Sequence, residues 1–118
     1  MKWLIFCVIL IGSGTLQASS VKKCYTEWFD WDDSMPDNDD MSGDYETLFE
    51  VKVRAADKIC SSPSSVQAQT LDGVSAETTG QNFAFYDTTT GFICLNHQQK
   101  DKKCLDYKVR FECPCPWP

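Results

Sequence analysis

The sequence predicts a mainly β domain (small α+β), a disulfide-stabilised, antiparallel β-sandwich-like fold with one short helix. Three observations predict it: an even set of cysteines in an exported chain, period-two alternation of apolar residues, and turn residues between apolar runs. The chain has 118 residues, of which 42% are hydrophobic and 24% charged. That length accommodates one domain at most, which we expect over residues 21–118.

Residues 1–20 are predicted to be a signal peptide. A positively charged start, Met1-Lys2, precedes an apolar run over residues 3–11, which is shorter than the roughly 20 residues that span a bilayer. The small residues that follow fit cleavage after residue 18 or residue 20. The alternative is a buried N-terminal strand or helix. We expect a secreted, extracellular protein that does not insert into membranes.

The cysteines of the mature chain predict a disulfide framework. Cys7 leaves with the apolar run, and six remain: Cys24, Cys60, Cys94, Cys104, Cys113 and Cys115. An even number in a short secreted chain indicates bridges, whose pairing the sequence alone does not decide. Metal binding is the weaker alternative, because there is no C-x-x-C pair and Cys113-Pro114-Cys115 lacks the spacing of a zinc knuckle.

Alternation and turn signals predict the strands. Leu105, Tyr107, Val109 and Phe111 alternate with charged residues, which is typical of a half-buried strand. The predicted strands are residues 24–29, 66–71, 82–86, 91–95 and 104–113, the second of them supported mainly by the Asp72-Gly73 turn that ends it.

Residues 44–56 carry two conflicting patterns. Tyr45, Leu48 and Phe49 have helical spacing after a candidate cap at Ser42, whereas Val51 and Val53 alternate as in a strand. We favour a short helix over this segment.

Charge is unevenly distributed along the chain. Residues 24–51 contain ten acids and no Lys or Arg, whereas the basic residues gather near the C-terminus. The net charge of −6 disfavours nucleic acid as a partner. Solvent, the basic segment or a bound cation must offset the repulsion among the acids.

Aromatic and acidic residues alternate over residues 24–33. Asp30 and Asp32 stand two apart and can direct oxygens at a shared hard cation, and calcium takes six to eight such ligands. Trp28 and Trp31 have two simpler explanations, as core filler beside a solvated loop or as inward-facing strand residues. An EF-hand does not fit, because Asp44 falls where its glycine is needed.

Catalytic residues are not predicted. His97 is the only histidine and lies in a polar stretch, and there is no G-x-S-x-G motif. We therefore expect no catalytic residue and no enzyme.

Five blocks in register carry a resemblance: C-Y-T-E-W-F-D-W-D, S-G-D-Y-E-T-L, K-I-C, T-G-F-I-C-L-N and C-L-D-Y-K-V-R-F-E-C. Together they resemble the WxxW domain, the CysD-type cysteine-rich domain of gel-forming mucins and of cartilage intermediate layer protein. The resemblance implies a non-enzymatic extracellular module that self-associates non-covalently. It also implies a structural calcium site, which by correspondence would use Asp30, Asp32, Asp44 and Glu46.

The chain departs from this pattern at several positions. Tyr25 replaces the first tryptophan of the motif, and the shifted W-x-x-W makes Trp28 the candidate for C-mannosylation, the glycoprotein feature of this chain. Tyr86 and a residue near Ala68 stand where the family has cysteines, which implies one bridge deleted as a pair.

Two functions follow from these expectations. The first is a self-associating structural component of mucus or extracellular matrix, whose partners would be a second copy in a homodimer, mucins or matrix proteins. The alternative is a freestanding secreted recognition module that binds a glycan or a partner protein through exposed aromatic residues.

Overall fold

The computed structural model describes residues 22–31 and 41–115, so the predicted signal peptide and Asp32 lie outside the described residues. Two three-stranded antiparallel sheets, ordered β1-β6-β3 and β2-β5-β4, and one helix form the domain. This confirms the predicted fold class. The elements are β1 Lys23–Tyr25, β2 Gly43–Thr47, α1 Leu48–Arg54, β3 Ser65–Thr70, β4 Phe85–Asp87, β5 Gly91–Leu95 and β6 Tyr107–Pro114. No helix in these ranges is long and apolar enough to cross a membrane.

The β1-β6-β3 sheet is built around the alternating strand that the sequence makes clearest. Tyr107, Val109 and Phe111 face the core with no exposed surface, and the charged residues between them face outward. The strand begins at Tyr107 and not at residue 104, since Leu105 is 47% exposed and pairs with no strand in the described part of the chain. The predicted strand over residues 24–29 forms as the shorter β1, after which Phe29 makes a single bridge to Val109.

The β2-β5-β4 sheet places β5 in the centre. Residues 91–95 form this strand with the predicted bounds. Strand β4 covers Phe85–Asp87 and not residues 82–86, because Asn82 is held by the side chain of Gln99. Gly91 has a φ of 102°, which favours glycine, and a side chain there would meet the backbone of Thr47 and Leu48.

Residues 43–54 contain both a strand and a helix, so the prediction of a helix alone was wrong over its first part. Tyr45 lies in β2, and α1 starts only at Leu48. The cap is Thr47, whose hydroxyl accepts the Glu50 N–H at 3.2 Å, and not Ser42. Pairing with β5 keeps residues 43–47 extended despite their helical spacing.

Three disulfides join the six cysteines: Cys24–Cys115, Cys60–Cys113 and Cys94–Cys104. The first two fasten the β1 end and the segment after α1 to the end of β6. The third closes the loop between β5 and β6. Cys94 and Cys113 are fully buried among the apolar side chains of the core.

Tyr86, where the family has a cysteine, lies next to Ala68, near which the second family cysteine is missing. The Ala68 backbone N–H on β3 donates to the Tyr86 hydroxyl on β4 at 2.8 Å. A hydrogen bond therefore links the edges of the two sheets at the place where the sequence implied a deleted bridge.

Candidate functional site

Two carboxylates occupy the inward side of β2. Asp44 and Glu46 are two residues apart on this strand and so point to the same face of the sheet. Glu46 is fully buried, and Asp44 is partly buried beside the start of β6. Pairing with β5 fixes their position, because Asp44 stands opposite Cys94 and Glu46 opposite Phe92.

Backbone groups of two other segments bond to these carboxylates. The Tyr107 N–H donates to Asp44 Oδ2 at 2.6 Å. The Trp31 N–H donates to both oxygens of Glu46, at 3.2 Å and 3.1 Å. The acidic residues thereby tie β2 to β6 and to the W-x-x-W segment, which the sequence analysis did not anticipate.

Burial makes both groups weak acids. It raises the pKa of Asp44 to about 7 and the pKa of Glu46 to about 10, the backbone hydrogen bonds opposing part of each shift. The negative charge of Asp106 further raises the pKa of Asp44, that of Asp44 raises the pKa of Glu46, and Asp30 adds to both shifts. Without a cation, the pair therefore keeps a proton at neutral pH, which Glu46 donates to Asp44.

This arrangement supplies part of what calcium requires. Of the four predicted ligands, the structure brings Asp44 and Glu46 together, and the negative charge of Asp30 acts on both. The fourth, Asp32, lies outside the described residues. Carboxylate oxygens are hard donors and fit calcium. Within residues 22–31 and 41–115, no group of three His, Cys, Asp or Glu residues is arranged to hold a metal ion.

The two tryptophans of the W-x-x-W segment occupy opposite environments. Trp31 packs on the core, with its ring stacked on Phe29 at a centroid distance of 5.3 Å and the Arg54 guanidinium carbon 5.5 Å from its centroid. This is close to the core-filler interpretation. Trp28 lies instead on the outward face of the β1-β6-β3 sheet.

Two cations lie close to the Trp28 ring. The Arg110 guanidinium carbon lies 4.6 Å from the Trp28 centroid and 4.1 Å from the Tyr25 centroid. The Lys108 ammonium lies 5.3 Å from the Trp28 centroid. All three distances are within the range of cation–π attraction. We call Tyr25, Trp28, Lys108 and Arg110 the aromatic–cationic face; the alternation of β6 predicted its charged residues but not their contact with tryptophan.

A small cleft of about 160 Å³ adjoins this face. Trp28, Gln67, Gln69, Ser75, Glu77 and Tyr86 contribute side chains to its lining. Glu77 accepts hydrogen bonds from the hydroxyls of Ser75 and Tyr86, at 3.0 Å and 3.2 Å. An aromatic wall beside amide, hydroxyl and carboxylate groups suits a polyhydroxylated ligand.

The remaining candidate, His97, lies exposed on a single turn of 3-10 helix over Asn96–Gln98. Its position agrees with the solvated histidine that its polar sequence context predicts.

The fold and its disulfides define a small extracellular type of domain, mostly β, in which covalent bridges support a modest core. Residues 25–113 match the family model described as the Mucin-2 protein WxxW repeating region. The chain belongs to this family, as the five sequence blocks indicated.

Relatives in longer proteins match the same region. Human cartilage intermediate layer protein 1 is 36% identical over 91 residues, covering 76% of this chain. Human mucin-5AC is 31% identical over 110 residues, or 91% of this chain. Mouse cell migration-inducing and hyaluronan-binding protein is 33% identical over 97 residues, or 78% of this chain. This chain spans only 7%, 2% and 6% of those three proteins, respectively. These names support an extracellular mucus or matrix module.

Proposed function

We propose that the chain is a non-enzymatic, secreted module of mucus or extracellular matrix that self-associates without covalent bonds and is stabilised by calcium. The observation that carries self-association is an exposed apolar pair on α1. Phe49 is 72% exposed and Val53 65% exposed, one helical turn apart, whereas Leu48 and Val51 bury the other side of the helix. Exposed apolar surface of this kind is typical of interaction sites.

A two-fold contact suits this pair. In an isologous dimer the same patch meets its own copy, so each Phe49 would pack against the α1 helix of a second chain. Removal of these side chains from water would supply the driving force.

The test is light scattering coupled to size exclusion, over a range of concentrations with and without chelator. We expect a concentration-dependent dimer for the natural chain and a monomer for the double substitution Phe49→Gln and Val53→Gln. Phe85→Gln is the matched control, because Phe85 is another exposed aromatic residue, on β4. A natural chain that stays monomeric throughout, or a double variant that still dimerises, contradicts the proposal.

Calcium binding is supported by the buried carboxylates of β2 beside Asp30. A divalent cation would displace the proton from Asp44 and Glu46 and offset their charge. We expect chelator to lower the melting temperature, and Asp30→Ala to remove that sensitivity. Asp57→Ala, which removes a different exposed acid, should keep it. Identical melting curves with and without chelator, at matched ionic strength, would exclude the site.

The mass of the secreted protein tests the remaining predictions of its processing. Intact mass, native and reduced, reports the cleavage point after residue 18 or 20, the number of bridges and any hexose on Trp28. We expect three bridges in the oxidised chain, in agreement with the three cysteine pairs of the structure.

A second candidate function, recognition of a glycan, is favoured by the aromatic–cationic face and its cleft. The mouse relative, cell migration-inducing and hyaluronan-binding protein, is by its name a protein that binds a glycan. For this chain the support comes from the side chains around Trp28.

A further inference from the structure

We propose that the outward face of the β1-β6-β3 sheet binds an acidic saccharide residue, whose ring lies against Trp28 and whose acid group contacts Arg110 and Lys108. This inference rests on the second candidate function, recognition, and is independent of self-association through α1. It names both a site and a class of ligand.

Arg110 is held in place before any ligand arrives. Its guanidinium stacks between Tyr25 and Trp28, and its Nε donates to Gln67 Oε1 at 2.8 Å. Gln67 in turn donates from Nε2 to the Tyr25 hydroxyl at 3.2 Å. Among the described residues nothing hydrogen-bonds the terminal Nη atoms. A pre-positioned guanidinium loses little side-chain entropy when it pairs with a carboxylate or sulfate.

Lys108 adds a second positive charge on the same side of β6. It stands two residues before Arg110, so both side chains project outward. The next outward residue, Glu112, is already paired with Lys23 at 3.5 Å and with the Ser64 hydroxyl at 2.8 Å. Within residues 22–31 and 41–115, neither Lys108 nor Arg110 forms an ion pair, so the positive charge of the strand that is left without an acid lies beside Trp28.

The cleft has positive charge at one end and a carboxylate at the other. Lys108 and Arg110 lie on the central strand β6, whereas Glu77 lies beyond the edge strand β3, after the bridge between Gln69 and Ser75. An acid group would turn toward the cations, and Glu77 would accept from sugar hydroxyls at the far end. The side-chain amide of Gln69 makes no hydrogen bond within the described residues and is available to the ring substituents.

The size of the cleft and the charge of the protein limit which ligands can bind. A volume of about 160 Å³ is small for a ligand pocket, so the cleft suits one sugar ring and not a longer segment. The whole chain has a net charge of −6, which opposes the binding of a long polyanion outside this face. We therefore expect modest affinity that falls as salt is raised.

The test is isothermal titration of the full mature protein with three hexasaccharides. Hyaluronan carries carboxylates, chondroitin sulfate carries carboxylates and sulfates, and a chitin oligosaccharide is neutral. We expect saturable binding of both acidic probes and at least about tenfold weaker binding of the neutral one. Comparison of the two acidic probes shows which acid the site prefers, and preference for either over chitin supports the proposal.

Substitutions locate the site. Arg110→Gln should weaken binding of hyaluronan by about tenfold, and Lys108→Gln by a smaller factor. Lys103→Gln removes the same charge from the loop before β6 and should leave the affinity within about twofold. Arg110→Lys keeps the charge without the fork and should lie between the natural chain and Arg110→Gln.

Circular dichroism and melting curves show whether each variant folds; if Arg110→Gln does not, Lys108→Gln and Arg110→Lys carry the comparison. Absence of saturable binding to both acidic probes, equal binding of the chitin probe, or an equal loss in Lys103→Gln overturns the proposal. Scattering measurements without glycan report self-association separately, so the failure of one proposal leaves the other standing.

Discussion

The two sheets of the domain use their acidic residues in opposite ways. In the β1-β6-β3 sheet, Glu112 faces water, and its hydrogen bond from Ser64, together with Lys23, lowers its pKa. In the β2-β5-β4 sheet, Glu46 faces the core, and burial raises its pKa. A glutamate on a strand is thus ionised at the surface of one sheet and protonated at neutral pH in the core of the other.

The sheets also differ in how they are fastened. Two disulfides reach the end of β6, whereas β2 is held by hydrogen bonds from Tyr107 and Trp31 to its carboxylates. Covalent links are insensitive to pH and to cations in a way that buried carboxylates are not. We infer that changes of solvent act first on the β2 side of the molecule, and the following predictions test that difference.

The largest expected effect is loss of a bridge to β6. In Cys60→Ala with Cys113→Ala, removal of a link across a separation of 53 residues should cost about 4 kcal/mol of unfolding free energy on the loop-entropy relation. The control pair Cys94→Ala with Cys104→Ala spans a separation of 10 and should cost about 3 kcal/mol. Urea denaturation measures both. A greater loss for the shorter loop would contradict the assignment of the main covalent support to β6.

The next effect expected is a fall in stability as pH rises, because the pKa of Glu46 differs between the folded and the unfolded chain. Its folded pKa of about 10 is above the usual 4.5, so the folded state binds a proton that the unfolded chain has lost. Stability is fully present below about pH 4.5 and declines as pH rises toward 10; Asp44 adds a decline up to about pH 7. In chelator, the natural chain should be less stable at pH 8 than at pH 5.

Glu46→Gln should flatten that decline, because an amide does not titrate and still fills the same space. Glu27→Gln is the control, since Glu27 is exposed and paired with Lys58 at the surface. Urea denaturation of both variants at pH 5 and pH 8, in chelator, makes the comparison. An unchanged decline in Glu46→Gln would mean that other groups set the pH dependence of this sheet.

The sequence predicted the β1-β6-β3 sheet better than its neighbour for a physical reason. On β6, each inward residue is apolar and each outward residue between Lys108 and Glu112 is charged, so period and polarity agree. On β2, Asp44 and Glu46 occupy inward positions and Tyr45 has helical spacing with Leu48, so both signals mislead. Only pairing with β5, a contact distant in sequence, decides the structure there.

The candidate sites were predictable to different degrees. The resemblance to the family predicted Asp44 and Glu46 as site residues. Their hydrogen bonds were not predictable, because Glu46 bonds to Trp31, 15 residues away, and Asp44 to Tyr107, 63 residues away. The contact of Trp28 with Arg110 likewise depends on β1 lying beside β6. The joint loss of two cysteines, at Tyr86 and near Ala68, implied that these two segments lie close together, and Tyr86 does contact Ala68.

Loss of the contact between Ala68 and Tyr86, at the seam between the two sheets, should lower the free energy of unfolding by about 1–3 kcal/mol. Tyr86→Phe removes the hydroxyl that accepts from the Ala68 N–H and leaves this donor, on a residue only 3% exposed, without a partner. Tyr25→Phe is the matched control, because its hydroxyl bonds to Gln67 at the exposed surface. Melting curves that rank Tyr25→Phe as the more damaging change would show that the seam is not held by this bond.

The smallest effect is expected at Glu112, and it sharpens the contrast with Glu46 because the sign is reversed. Its folded pKa is lowered, so its contribution is present above the usual pKa near 4.5 and is lost as pH falls through the folded value. The carboxylate lies on the water-facing side of β6, where solvent screens its charge, so Glu112→Gln should lower stability at pH 8 only slightly. Below the usual pKa of the carboxyl, the natural chain loses this small contribution, and its stability should equal that of Glu112→Gln. A decline of stability between pH 5 and pH 8 that disappears in Glu112→Gln and persists in Glu46→Gln would reverse the roles assigned to the two sheets.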